Sequence, residues 1–101
     1  MDAIPNGYPA SAFEAFALLA QHDRLTIDDL KVLALIEQSG KALYMALADA
    51  ADNDAARALL ERNAQEEVGH AHRCLNAIRL LGGHFALPAQ RENPYCEPPP
   101  F

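Results

Sequence analysis

The chain has no tryptophan, only two cysteines and few β-branched residues. Cys74 and Cys96 form no dense spacing and no C-x-x-C, which argues against a disulfide scaffold, a zinc ribbon and a thioredoxin-like redox pair. With Ala and Leu abundant, the shortage of β-branched residues disfavours strands and predicts an all-α protein. Basic residues are also scarce: eight Lys and Arg face fourteen Asp and Glu, for a formal net charge of −6. That balance argues against a nucleic-acid or anionic-membrane partner, both of which need clustered cations. No apolar run approaches the length of a membrane span. The start, Met1-Asp2-Ala3-Ile4-Pro5, carries no positive n-region, and Glu14 interrupts the apolar stretch after it, so no secretory signal is expected and the chain reads as soluble and cytoplasmic.

What the sequence does contain is helical periodicity. Its 101 residues suit one small domain, and a domain this small buries only roughly 60–70% of its unfolded surface, so association is expected to add stability. Residues 1–9, with Pro5, Gly7 and Pro9, are expected to be irregular, and Ser11 to cap a short helix running to about His22. Thr26 followed by Ile27-Asp28-Asp29 predicts the start of a long helix reaching about Ala51. Asp52-Asn53-Asp54 is a short polar break, and breaks this short join antiparallel neighbours. A second long helix then runs to about Leu81, where Gly82-Gly83 ends it. Residues 10–83 form the expected helical domain. Residues 84–101, with Pro88, Pro94 and Pro98-Pro99-Pro100, form a Pro-rich arm whose apolar anchors are Phe85, Leu87, Tyr95 and Phe101.

Two polar features interrupt the apolar seams of the long helices. Leu30, Leu33, Glu37, Gly40, Tyr44, Leu47 and Ala51 follow a three-four rhythm that sets Glu37 among apolar and small residues. A carboxylate there must be paired, protonated or bound to metal. On the second helix Leu60, Asn63, Glu67, His70, Cys74, Ala77 and Leu81 form the matching seam, and Glu67-Val68-Gly69-His70 is a Glu-x-x-His. Residues three apart share a helix face, so Glu67 and His70 can address one cation. Glu37 lies about four turns before the break and Glu67 about four turns after it, so in an antiparallel hairpin they meet at one level. One chain offers two carboxylates and one imidazole, whereas a two-metal centre in a four-helix bundle uses two Glu and two Glu-x-x-His units. A second copy would supply the other half.

The stretches Glu37-Gln38-Ser39-Gly40-Lys41-Ala42-Leu43-Tyr44 and Gln65-Glu66-Glu67-Val68-Gly69-His70, within residues 27–82, resemble the ferritin-like superfamily. The likeness is to rubrerythrin-type helix pairs and to the short encapsulated ferritins that build their site between chains. It departs from the latter at Ile36 and Ser39, where those proteins carry further acids. The resemblance implies a homodimer or higher oligomer that completes a four-helix bundle around a di-iron site, with manganese or zinc as alternative metals. It makes Glu37 a terminal carboxylate ligand, Glu67 a bridging one, His70 an imidazole ligand, and Tyr44 a weak ligand or a partner of one. The implied chemistry is oxidation of Fe(II) by dioxygen or peroxide.

Each residue also has a plainer reading. Glu67 and His70 can form an ordinary i,i+3 pair, and Glu37 a solvated charge. Glu66 is the rival carboxylate, at i,i+4 from His70 but off the seam. Cys74, one turn after His70, reads as a small buried packing residue. His72 points away from the seam, while His22 and His84 sit near helix ends, where the dipole favours them. Two other functions stay open: a noncatalytic metal-stabilised dimer, and a metal-free helical interaction module.

Overall fold

The computed structural model describes residues 4–96. The Pro98-Pro99-Pro100 run and the Phe101 anchor lie outside them. A short helix α1 (Ala12–Leu19) precedes two long helices, α2 (Ile27–Ala50) and α3 (Asp54–Leu80), which form an antiparallel hairpin.

Local chemistry sets the helix ends. The Ser11 hydroxyl accepts the Glu14 amide at 3.4 Å, opening α1. This helix ends at Leu19, short of His22, because the Gln21 and His22 amides turn to the carbonyls three residues back. Thr26 and Asp29 form a reciprocal capping box: Thr26 Oγ1 accepts the Asp29 amide at 3.1 Å, and Asp29 Oδ2 accepts the Thr26 amide at 2.9 Å. Asn53 caps α3 by accepting the Ala56 amide at 2.8 Å. Arg57 reaches back across the break to donate to the Ala48 and Ala51 carbonyls, satisfying the open end of α2. At the far end of α3, Gly82 takes φ +87°, which lets the Gly82 and Gly83 amides close onto Arg79 and Ile78.

The main core lies where α1 crosses α2. Ala15, Leu19, Val32, Leu35 and Tyr95 are buried there, with Tyr8, Phe85 and Leu87 packed against them. Tyr95 belongs to the arm. Through Cys96 the arm therefore folds back on its own chain, with one 3-10 turn at Gln90–Glu92. Specific hydrogen bonds hold it. Buried Asn93 donates to the Leu35 carbonyl and to Gln38 Oε1, both at 2.8 Å, and accepts the Tyr95 amide at 2.9 Å. Gln38 donates to the Pro88 carbonyl at 2.8 Å, and the Tyr95 hydroxyl to the Pro9 carbonyl at 2.8 Å.

Asn93→Ala is expected to cost about 2–3 kcal/mol, because it removes the side-chain acceptor of the buried Tyr95 amide and the donor to the Leu35 carbonyl and Gln38 Oε1. The check is urea unfolding, with a lower midpoint at unchanged slope. An unchanged midpoint would mean that the arm adds nothing to the fold.

Candidate metal centre

Glu37 and Glu67 occupy one level of the hairpin because the polar break at residues 52–53 lets α2 and α3 run back to back. His70 follows Glu67 by one turn on the same face. His70 Nδ1 stands 3.3 Å from Glu37 Oε2 and 3.3 Å from Glu67 Oε1. One ligand atom from each of the three residues lies within 4.8 Å of the others, so a single chain brings together a cluster with the capacity to hold a metal ion. Adjacent donors around a cation with bonds of about 2.1 Å are roughly 3 Å apart, close to these separations. The cluster sits at the edge of the hairpin. The Glu37 and Glu67 side chains are 16% and 22% exposed and that of His70 is 46% exposed, so the imidazole is the open side.

Glu67 reaches its place through a gap opposite it in α2. A Cβ on Gly40 would stand 2.5 Å from Glu67 Oε2 and 3.3 Å from its Cδ. The seam glycine thus lets the carboxylate cross the helix interface. Gly40→Ala must move the end of a flexible side chain and leave the backbone alone. We expect apo stability to rise by about 0.5–1 kcal/mol, from better helix propensity, while affinity for Fe(II) or Mn(II) falls about tenfold as the carboxylate is displaced. Paired calorimetric titration and thermal melts measure both. Equal affinity in the two proteins would show that this gap does not position Glu67.

Burial, followed by the hydrogen bond and like charge of Glu67, raises the Glu37 carboxyl to about 7, with His70 offsetting part of the rise. Two carboxylates face each other with one imidazole nitrogen to share between them. Burial and then the Glu37 charge push the Cys74 thiol up to about 11, which keeps it a neutral packing group in the hairpin.

The other residues singled out from the sequence lie apart. Glu66 is exposed and outside the cluster. Tyr44 is partly buried, and its hydroxyl makes no hydrogen bond among the described residues. His84 is exposed, and His72 opens onto a cavity on another side of the hairpin.

His22 does something other than sit near a helix end. Its Nδ1 lies 3.0 Å from Asp29 Oδ2, while the Tyr8 hydroxyl donates to Asp29 Oδ1 at 2.7 Å. Asp29 is almost wholly buried. Burial alone would raise its carboxyl, but the Thr26 amide, Tyr8 and His22 outweigh that and hold it at about 2. Burial and this same contact push the Tyr8 phenol up to about 12. Thr26 was visible as a cap and Asp29 as a complement to the helix dipole; the closure of the capping box by Asp29 and the convergence of Tyr8 and His22 on it were not.

No family model, no curated protein and no solved structure matches this chain. The chemical reading of the site accordingly rests on its own geometry.

Proposed function

We propose that this chain is half of a ferritin-like di-iron carboxylate protein, in which two copies form a four-helix bundle and share two metal ions. The observation that carries the reading is the meeting of Glu37, Glu67 and His70 donor atoms within 4.8 Å on facing helices. The donor set fits the group. Mixed carboxylate and imidazole ligation suits iron or manganese, and zinc less well. Two chains contribute four carboxylates, which match the charge of two divalent cations.

In this reading Glu37 and Glu67 would hold the metal through their carboxylates, and the half-exposed His70 would present its imidazole toward the partner copy. Leu59, about three turns before His70 on the same stripe of α3, is 54% exposed and offers apolar surface for that contact. Tyr44, about two turns from Glu37, has its hydroxyl free to approach the centre in the assembled bundle. Bound as Fe(II), two irons would supply the two electrons that, with two protons, reduce dioxygen to hydrogen peroxide. Glu37 releases its proton when metal binds, and holds it again when metal leaves.

The test is anaerobic Fe(II) loading with native mass measurement, followed by oxygen addition in optical stopped flow. The expected result is two irons per dimer and rapid absorbance growth on mixing with oxygen. Stoichiometric binding without oxidation would replace this reading with a noncatalytic metal-stabilised dimer. A complete two-metal centre in a strict monomer would reject the shared architecture. Failure to retain any metal would leave the helical interaction module, a reading favoured by the metal-free contacts that His70 already makes to both carboxylates.

The Glu37 proton also sets a pH dependence. The unfolded carboxyl ionises near its ordinary 4.5, whereas the folded one holds its proton to about 7. Its contribution to apo stability is therefore full below about 4.5 and declines as pH rises through about 7. Metal removes that proton, so the stabilisation by metal should be larger at about pH 8 than at about pH 6. Thermal melts with and without Mn(II) at the two pH values measure it. A metal-induced shift independent of pH would disconnect Glu37 from the bound ion.

A further inference from the structure

A cavity of about 270 Å³ lies between α2, α3 and the arm, one residue around each helix from the metal cluster: Gln38 neighbours Glu37, Val68 neighbours Glu67, and Ala71 neighbours His70. Val68, Ala71 and Leu87 give it an apolar lining, while Lys41 and His72 supply nitrogen donors. No Asp or Glu lines it, although the chain has fourteen acids. Lys41 is half-buried and pairs with no carboxylate among the described residues. A neighbouring depression shares His72 and adds Arg79, again without an acid. The Gln38 amide donates to the Pro88 carbonyl and accepts from Asn93, so the arm holds one wall of the cavity in place.

We infer that this cavity binds a small organic carboxylate with an apolar body, its carboxylate on Lys41 and His72 and its hydrocarbon against Val68, Ala71 and Leu87. The donor set favours a carboxylate over a phosphate. Lys41 and His72 offer one point donor each, which match the two oxygens of a carboxylate. A phosphate dianion calls for several fixed donors or a planar arginine fork, and the cavity itself holds neither. The volume is slightly below the roughly 300–1,000 Å³ of sites for drug-sized ligands, which suits a smaller molecule. The inference is independent of the metal reading, because no residue of the cluster lines the cavity.

Octanoate is the probe, titrated into the full chain with metal chelated and followed by amide NMR; 1-octanol and inorganic phosphate are the comparison ligands. We expect saturable octanoate binding with a Kd of about 1 mM or tighter, with shifts centred on Lys41, Val68, Ala71 and Leu87. Lys41→Met should weaken octanoate about tenfold or more and leave 1-octanol unaffected, because it keeps the aliphatic stem and removes the charge-assisted bond. Lys41→Arg should retain binding, and Val68→Phe, which fills the cavity, should abolish it. Octanoate affinity unchanged in Lys41→Met, shifts away from the cavity, or phosphate binding more tightly than octanoate would each overturn the inference.

Discussion

A Glu67→Ala, His70→Ala double variant is expected to lose Fe(II) and Mn(II) affinity by at least about a hundredfold while remaining helical and folded. Two of the three donors of each chain disappear, and even residues that only orient a ligand cost about 10–100-fold when changed. The fold should survive because neither side chain is buried among apolar groups. The imidazole is half exposed, and the Glu67 carboxylate occupies a gap that Gly40 leaves open. Losing Glu67 also removes the like charge that, after burial, raises the Glu37 carboxyl. The metal-free variant should therefore match or exceed the wild type in thermal stability, and only the stabilisation by added metal should vanish. Calorimetric titration and melts with and without metal separate the two effects. If apo stability collapsed, these residues would be parts of the fold; if metal affinity survived, the site would lie elsewhere.

Asp29→Ala should be the most damaging single change to stability, costing about 3–5 kcal/mol. Removing the carboxylate breaks the capping box of α2, worth about 1 kcal/mol, and leaves the Tyr8 hydroxyl facing a void in a desolvated setting. For a chain of this size that corresponds to a fall in Tm of more than about 10 °C. Asp29→Asn keeps the shape but not the charge and should recover part of the loss. The ionised carboxylate also predicts an acid limit. Its folded pKa of about 2 lies below the ordinary 3.8, so its stabilisation is present above about pH 4 and is lost as pH falls toward 2. The shift corresponds to about 2 kcal/mol. Urea unfolding at a series of acidic pH values should show this slope in the wild type and not in Asp29→Ala. A similar slope in both would place the acid sensitivity in other carboxylates.

Much of the architecture was legible because its signals are local. The Ser11, Thr26 and Asn53 caps, the three-four seams and the Gly82 stop all act within a few residues, and the helix limits fall within about three residues of their expected places. The equal distance of Glu37 and Glu67 from the break also needed no tertiary information, since helix rise per residue is constant. What escaped was long-range. The arm carries prolines that forbid a helix, but nothing in it announces that Asn93 will bond to the Leu35 carbonyl across the hairpin. Tyr8 and His22 likewise sit in irregular segments whose direction no periodicity specifies. Gly40 was legible as a small seam residue and illegible as the space for a carboxylate.

The sequence by itself determined the helices, their antiparallel order and the level at which one Glu meets a Glu-x-x-His, because hydrogen bonding and side-chain period are fixed by neighbours along the chain. Only the tertiary structure decided that Gly40 makes room for the Glu67 carboxylate, that burial and a like charge hold the Glu37 proton, and that the arm closes a cavity around Lys41. Those outcomes depend on which groups share a desolvated space, a property of packing between segments distant in the chain.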